Sequence, residues 1–301
     1  MRNSSKSKPI KSAETLAVLR ALSNHERITV LKNPDNLAKH FLSAKYRMLM
    51  TVRPRSLIRR IAESKSPGSY YFTIIRTKHF DNALLNALSQ GVQQIVILGA
   101  GYDSRAYRFQ DKLSNIRVFE LDFPATQSVK KSIITRLYDD VPKNVKFVPI
   151  DFNTQSVREA LYKSNFRPDI QTIFLWEGVS YYLSPQEVGN ILSFVSNDCT
   201  ASATILFDYA TRSFVEGDHS TYGGIQVAEW LKQIGEPFLF GINYEETKDF
   251  LASYGLDVIS DMGPMELEKI YLGRPDNGVY GRTLGHVRMV HAKNSDCNNS
   301  V

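Results

Sequence analysis

The chain has 301 residues, of which 43% are hydrophobic and 23% are charged, proportions typical of a globular protein. They exclude a wholly disordered chain, a collagen-like repeat and a small domain built on disulfides. No apolar run approaches the ~18 residues that a membrane-spanning helix needs, and the polar, basic start is unlike a secretory signal. Two cysteines, Cys199 and Cys297, are too few for a structural zinc site. We therefore expect a cytoplasmic protein without a metal.

The net charge of +6 is unevenly distributed along the chain. Residues 1–66 contain 15 Lys/Arg and 4 Asp/Glu, whereas the rest contains 22 and 27. We interpret the basic segment mainly as a solvated helical surface. The alternative is a docking surface for an acidic partner, such as nucleic acid, a membrane surface or an acidic protein. Nucleic acid is disfavoured because aromatic residues are sparse there, with Phe41 and Tyr46 as the examples.

The N-terminal part of the chain has a helical pattern. The first 11 residues (1–11) are polar and basic, and we expect them to be a disordered tail. Over residues 12–90, apolar side chains recur at three- and four-residue steps, which predicts a helical segment. Pro54 suits the first turn of a short helix, and a longer helix is predicted over residues 71–88.

Residues 91–292 form the predicted main domain. Short apolar runs that suit buried strands alternate there with segments of helical pattern, which predicts an α/β fold with a doubly wound parallel sheet. An irregular insertion, residues 209–243, has the size of a cap, and residues 293–301 resemble a second disordered tail. The predicted strands are 94–98, 116–122, 145–150, 172–176, 203–207, 256–261 and 285–292, and the predicted helices are 124–138, 154–164, 185–196 and 245–254.

A glycine-rich turn follows the first predicted strand directly, as Gly99-Ala100-Gly101. Glycines there let the backbone turn sharply and leave space for a ligand. A dinucleotide site prefers a third glycine at the position of Ser104, so a nicotinamide oxidoreductase is disfavoured. Asp122 ends the next strand, 21 residues after Gly101. An acid at that spacing accepts hydrogen bonds from ribose hydroxyls.

Two further strand ends carry suitable groups. Asp151 and Phe152 follow the third strand and can hold an adenine, although Asp151 could instead cap the next helix. Glu177 follows the fourth strand, where a carboxylate attracts a cationic centre, and Tyr181 and Tyr182 offer rings and hydroxyls. The carboxyl ends of parallel strands meet at one edge of a sheet, so these groups share one crevice. Together they predict a pocket for S-adenosylmethionine.

Six short motifs carry a resemblance to a known family. They are Ser12-Ala-Glu-Thr15, Arg76-Thr-Lys-His-Phe-Asp81, Leu98-Gly-Ala-Gly-Tyr-Asp-Ser-Arg-Ala-Tyr-Arg108, Phe119-Glu-Leu-Asp-Phe-Pro124, Glu177-Gly-Val-Ser-Tyr-Tyr182 and Phe240-Gly-Ile242. With these motifs the chain resembles the leucine carboxyl methyltransferase family, especially its bacterial S-adenosylmethionine-dependent O-methyltransferases, over about residues 12–292. The family commonly has Thr at the position of Ser104, which keeps the hydroxyl.

The resemblance implies a Rossmann-like methyltransferase sheet with a cap made by the N-terminal helices and the insertion 209–243. It also implies roles for particular residues. Arg76 would hold the carboxylate of the methionine moiety, and Glu177 its amino group. The remaining implied contacts are Gly99, Ala100 and Gly101 along the methionine part, Asp122 at the ribose, and Asp151 and Phe152 at the adenine.

The motifs leave the methyl acceptor open. We expect a carboxylate or hydroxyl of a small-molecule or carrier-linked substrate of secondary metabolism, held by Tyr181, Tyr182 and Arg212. A carboxylate acceptor needs no base, whereas a hydroxyl does. His79 and His219 are better explained as packed and exposed histidines, so we assign no catalytic base. The alternatives are a methyltransferase acting on a protein C-terminal carboxylate, and an RNA-binding or regulatory protein with a vestigial nucleoside pocket.

Overall fold

The computed structural model describes residues 11–295, with side chains from Ala13 onward. Of the predicted tails, 1–11 and 293–301, residues 1–10 and 296–301 lie outside this range. Lys11 already belongs to the first helix, and residues 293–294 end the last strand. The first helix and the last strand therefore extend into the two predicted tails. At the C-terminal end, strand pairing explains the difference, because Lys293 pairs with Thr204 of the neighbouring strand.

Strands and helices alternate from residue 94 to residue 294, as predicted. The strands are β1 (Gln94–Leu98), β2 (Arg117–Asp122), β3 (Val145–Pro149), β4 (Thr172–Trp176), β5 (Ala203–Thr211), β6 (Gly241–Ile242), β7 (Leu256–Met262) and β8 (Val287–Asn294). The α-helices are α1 (Lys11–Ser23), α2 (Ala44–Val52), α3 (Arg55–Lys65), α4 (Ser69–Ser89), α5 (Arg105–Arg108), α6 (Gln110–Leu113), α7 (Pro124–Tyr138), α8 (Val157–Lys163), α9 (Pro185–Asn197), α10 (Arg212–Val215), α11 (Gly224–Ile234), α12 (Thr247–Ala252) and α13 (Pro264–Leu272).

The strands form one mixed sheet in the order β3-β2-β1-β4-β5-β8-β7, with β6 paired to the end of β5. The first five strands in that order are parallel, and β8 is antiparallel to both β5 and β7. The strand order reverses between β1 and β4, which is where open α/β sheets bind ligands. The predicted doubly wound α/β fold is thus confirmed.

The two faces of the sheet are covered by different helices. In β1, Ile95 and Ile97 belong to a core shared with the N-terminal helices and α4, whereas Val96 and Leu98 belong to a core shared with α8 and α9. Successive side chains of a strand point to opposite faces, so a continuous apolar run supplies both cores. Among the described residues, no helix combines the length and apolar character needed to cross a bilayer.

The predicted irregular insertion, residues 209–243, is more regular than its sequence pattern indicates. β5 continues to Thr211 because its last residues pair with both β6 and β8. The insertion also contains α11, which buries Val227 and Leu231, two apolar residues at the four-residue helical spacing. Helix α13 was not predicted. It follows Gly263, whose backbone N–H donates to the Glu266 side chain at 3.1 Å.

Candidate active site

The glycine turn after β1 has the geometry that its sequence predicts. The φ angles of Gly99 and Gly101 are +67° and +38°, values that side chains disfavour. A Cβ on Gly99 would also lie 2.3 Å from Cγ2 of Val179. The turn is held to the neighbouring strand because the N–H of Ala100 donates to the carbonyl of Leu121 at 2.8 Å.

Asp122 lies beside this turn, at the end of β2. Its carboxylate accepts hydrogen bonds from the N–H of Gly101 and from the N–H of Phe123, the latter at 2.6 Å. Burial raises the pKa of Asp122, although these two N–H donors and Lys130 oppose the shift. The sequence-predicted pair of glycine turn and acid is therefore in direct contact.

Asp151 and Phe152 follow β3, which is the neighbour of β2. The N–H of Ile150 donates to the carbonyl of Asp122 at 2.9 Å, so the two strand ends stay together. Asp151 accepts a hydrogen bond from the N–H of Asn153 at 3.1 Å, a local turn. Asp151 does not cap helix α8, since that position belongs to Ser156. Phe152 is half-buried against the core under α8 and α9.

A buried cluster of charges lies at the end of β4 and beside the middle of β5. Arg76, on α4, contacts Glu177 through Nε at 3.1 Å and Asp208 through Nη1 at 2.9 Å. Arg105 contacts Glu177 at 2.7 Å and Asp103 at 2.5 Å. We call the whole set the ionic cluster. Its members are Arg76, Asp81, Asp103, Arg105, Arg108, Glu177 and Asp208.

Opposite charges hold most of this cluster ionised despite burial. Burial opposes the charged form of Glu177, but Arg105 and Arg76 lower its pKa below the usual range. For Asp103, Arg105 likewise outweighs burial and lowers the pKa to about 2. Asp208 differs, because burial raises its pKa more than Arg76 lowers it.

The family resemblance places the amino-acid end of S-adenosylmethionine at this cluster. The Nε of Arg76 lies 3.1 Å from Glu177, and the Oε2 of Glu177 lies 2.7 Å from Arg105, although neither contact is well aligned as a hydrogen bond. A carboxylate and an ammonium group could satisfy these two atoms. The cluster has three arginines and four carboxylates, so its full ionisation leaves one excess negative charge. That excess suits the methionine end of the cofactor, where the sulfonium makes the net charge positive.

Tyr181 connects the ionic cluster to a group of aromatic rings. Its hydroxyl accepts from Nη1 of Arg76 at 3.3 Å and donates to Asp208 at 3.5 Å. Its ring centroid lies 4.9 Å from that of Tyr182 and 4.2 Å from that of Phe238. Phe214 extends the group, at 5.6 Å from Phe238.

Three other candidate residues make their contacts outside the ionic cluster. Arg212 begins α10 and pairs with Glu246 at 3.0 Å, in a largely exposed position. His79 contacts the hydroxyl of Tyr271 at 3.0 Å, and burial lowers its pKa to about 4, as suits a packed neutral histidine. The ring of His219 packs edge-on against Phe214 at 4.9 Å.

The N-terminal segment covers the glycine turn. Nη2 of Arg20 donates to the carbonyl of Tyr102 at 2.9 Å, and the ring of Phe41 stacks on that of Tyr102 at 5.1 Å. The hydroxyl of Ser104 donates to Asp35 at 2.7 Å. These contacts place the predicted N-terminal helical segment over the turn.

Several charged residues at this site had no role predicted from the sequence. Asp208 lies 132 residues from its partner Arg76. It lies in the middle of β5, where a carboxylate interrupts a run of apolar residues. This interruption is the one feature of the local sequence that could have indicated a role for Asp208. Lys130 lies beneath the turn, where Nζ contacts Glu120 at 2.8 Å and the carbonyl of Ala100 at 3.3 Å.

Comparisons with known proteins agree with this architecture. The Bacillus subtilis protein YktD, named for an S-adenosyl-L-methionine-dependent methyltransferase activity, is 28% identical over 218 residues, which cover 72% of this chain and 71% of YktD. The Mycobacterium tuberculosis protein Rv1729c, similarly named, is 34% identical over 131 residues, 44% of this chain and 41% of its own length.

Two solved structures share the fold across nearly the whole chain. A methyltransferase structure from Thermobifida fusca has a TM-score of 0.58 at 16% identity and covers 96% of both chains. A DUF574 family protein from Streptomyces avermitilis has a TM-score of 0.60 at 10% identity, over 96% of this chain and 99% of its own. The model of the leucine carboxyl methyltransferase family matches residues 13–196, which include the glycine turn and most of the ionic cluster. The chain therefore belongs to the leucine carboxyl methyltransferase family and is an S-adenosylmethionine-dependent methyltransferase.

Proposed function

We propose that this enzyme transfers the methyl group to a carboxylate or hydroxyl oxygen of a small-molecule or carrier-linked substrate of secondary metabolism. The observation that carries the proposal is the contact of Tyr181 with both the ionic cluster and the aromatic rings. The rings suit a substrate with an apolar body. The Tyr181 hydroxyl, beside Arg76, suits an oxygen acceptor because a phenol and a guanidinium both donate to oxygen.

In this proposal each side chain of the cofactor site holds one part of S-adenosylmethionine. Arg76 binds the methionine carboxylate and Glu177 the ammonium group, and their contact with each other at 3.1 Å holds the two side chains in place. Asp122 accepts from the ribose hydroxyls. Phe152 packs on the adenine, and Asp151 accepts from its amino group. The backbone of Gly99, Ala100 and Gly101 lies along the methionine chain.

When bound, the cofactor supplies an electrophilic sulfonium methyl for an in-line displacement by the acceptor oxygen. The protein contributes alignment and exclusion of water. The ring of Phe41, from the N-terminal segment, stacks on that of Tyr102 beside the glycine turn. This contact closes the turn from solvent. Burial raises the pKa of Tyr181 well above its ordinary value, so this hydroxyl stays protonated. Its one proton is donated to Asp208 at 3.5 Å, and in this proposal the hydroxyl turns from Asp208 to the acceptor oxygen when the substrate binds.

Calorimetry with S-adenosylmethionine tests the cofactor assignments. Arg76→Lys keeps the charge but loses the bidentate guanidinium, and Asp122→Asn removes the carboxylate. We expect each variant to bind at least about tenfold more weakly, a loss of about 1.4 kcal/mol. The matched controls are Arg167→Lys and Asp169→Asn, two half-exposed residues that pair with each other and should leave the affinity unchanged. Wild-type affinity in both site variants would remove the assignments.

A methyl-transfer assay with isotope-labelled cofactor tests the acceptor. A methyl ester is released by mild alkali, whereas a methyl ether is stable, so the product distinguishes carboxylate from hydroxyl acceptors. Tyr181→Phe should lower kcat while leaving cofactor affinity close to that of the wild type. Transfer to nitrogen or sulfur acceptors alone would contradict the proposed oxygen chemistry.

A further inference from the structure

The helices α2 and α3 form a strongly basic surface. Residues 44–65 contain seven Lys/Arg and one acid, Glu63. Arg59 pairs with Glu26 at 2.9 Å, which attaches α3 to the protein. The other cations are exposed to solvent, and they are Lys45, Arg47, Arg53, Arg55, Arg60 and Lys65. We call residues 44–65 the basic surface.

Apolar side chains on this surface point away from the protein. Met48 and Val52, four residues apart on α2, are 67% and 63% exposed. Leu57 and Ile61, four residues apart on α3, are 36% and 47% exposed. Residues spaced by four lie on one side of a helix, so each helix presents an apolar pair to solvent. These pairs lie outside the stripe that faces the core in an ordinary surface helix, which on α2 consists of Tyr46, Leu49 and Met50.

The burial of the two helices supports this orientation. Helix α2 has no fully buried side chain, and α3 buries Ile58 alone among its described residues. On α2 the exposed Lys45 and Arg47 stand close in sequence to Met48, and on α3 the exposed Arg60 adjoins Ile61. Cations therefore flank both outward-facing apolar pairs.

We propose that the basic surface docks on an anionic lipid bilayer. Amphipathic helices that lie in a membrane interface combine an apolar side with Lys and Arg, and clusters of four to eight such cations attract anionic headgroups. The long stems of Lys and Arg lie along the apolar region while their charges contact headgroups. Met48, Val52, Leu57 and Ile61 enter the boundary between headgroups and acyl chains.

The chemistry of the exposed residues favours lipid over two macromolecular partners. Protein interfaces depend on aromatic anchors such as Trp and Tyr, whereas the exposed apolar side chains here are aliphatic. Single-stranded nucleic acid needs aromatic platforms for stacking, and Tyr46, the aromatic residue of this surface, is only half-exposed. The proposal depends on this exposed surface and not on the identity of the methyl acceptor.

Co-sedimentation of the full chain with vesicles tests the docking. We expect binding to phosphatidylcholine vesicles that contain phosphatidylserine and little binding to phosphatidylcholine alone. Removing one cation should weaken partition about fivefold, so Arg47→Gln combined with Arg60→Gln should weaken it by about 25-fold. Added salt should weaken it as well, because exposed charges are screened. Met48→Ser combined with Ile61→Ser should reduce binding at all salt concentrations.

Matched controls exist elsewhere on the surface. Lys232→Gln with Lys248→Gln removes two exposed cations from other helices, and Met265→Ser with Ile270→Ser removes two exposed apolar residues from α13. Neither control should change vesicle binding. Cofactor affinity should be unchanged in all four double variants, which separates this test from that of the proposed function. Absence of binding at low salt, equal losses in the controls, or tighter binding of a short RNA than of the vesicles would overturn the proposal.

Discussion

Arginine has two opposite uses in this protein, in the ionic cluster and on the basic surface. In the cluster, Arg76 and Arg105 are 3% exposed, and each contacts specific carboxylates within 3.1 Å. On the basic surface, Arg53 and Arg60 face solvent. A buried charge needs a fixed partner of opposite charge to offset its desolvation. An exposed charge remains available to attract an oppositely charged surface. The cluster should therefore determine stability and cofactor geometry, and the surface should determine association.

The largest difference should come from Arg105. Arg105→Ala leaves Asp103, Asp81 and Glu177 buried without their shared cation, and removing one member of a buried pair costs about 3–5 kcal/mol. The free energy of unfolding from urea titration measures this loss. Arg53→Ala is the matched exposed control and should stay within about 0.5 kcal/mol of the wild type. Equal free energies of unfolding for the two variants would contradict the claim that the arginines of the ionic cluster stabilise the fold more than those of the basic surface.

A second difference should be visible in the pH dependence of stability. Glu120 lies beneath the glycine turn beside Lys130, and burial outweighs that lysine and raises the pKa of Glu120 to about 7. The folded pKa therefore lies above the unfolded value, so the folded state retains a proton that the unfolded state has lost. This contribution to stability is full below the unfolded pKa and is lost as pH rises toward about 7.

Glu120→Gln should remove this dependence. Between pH 5 and pH 8 the stability of the wild type relative to the variant should fall by about 2 kcal/mol, since one pKa unit corresponds to about 1.4 kcal/mol. Unfolding titrations at several pH values measure the difference. Glu159→Gln, on the exposed side of α8, should show no such trend. Parallel curves for the wild type and Glu120→Gln would show that Glu120 is ionised throughout.

Local patterns in the sequence predicted the sheet, and the glycine turn and carboxylates at its strand ends, better than the contacts between these groups. The bounds of β1 and β4 match the predicted ones because a continuous apolar run ended by a polar or glycine residue is a local signal. The glycine turn and Asp122 are also local, since each follows its own strand. Asp208 is different, because its partner Arg76 is 132 residues away. Pattern alone indicates no such pairing.

The N-terminal helices show a second limit. The apolar spacing predicted a helix with Leu57, Ile58 and Ile61, and α3 forms there. The spacing does not reveal which side meets the protein, and in α3 Ile58 is buried whereas Leu57 and Ile61 are exposed. The side is decided by long-range contacts. One of them joins α3 to the loop after α1 through Arg59 and Glu26.

The smallest effect should come from the pair of Arg59 and Glu26. In exposure, Arg59 is intermediate between the buried arginines of the ionic cluster and the exposed arginines of the basic surface. The Arg59 side chain is 34% exposed, and Glu26 also accepts a hydrogen bond from the hydroxyl of Tyr70 at 2.6 Å. A double-mutant cycle of Arg59→Gln and Glu26→Gln should give a coupling energy of about 0.5 kcal/mol, as for other partly exposed pairs.

Salt distinguishes the two classes at this intermediate position. The coupling of Arg59 and Glu26 should shrink as ionic strength rises, because solvent reaches the guanidinium and counterions screen it. Arg60→Gln, the exposed neighbour on α3, should show no coupling to Glu26 at any salt concentration. A coupling of several kcal/mol that is insensitive to salt would place Arg59 with the buried arginines. Of the arginines of α3, only those exposed to solvent, such as Arg60, would then count as part of the basic surface.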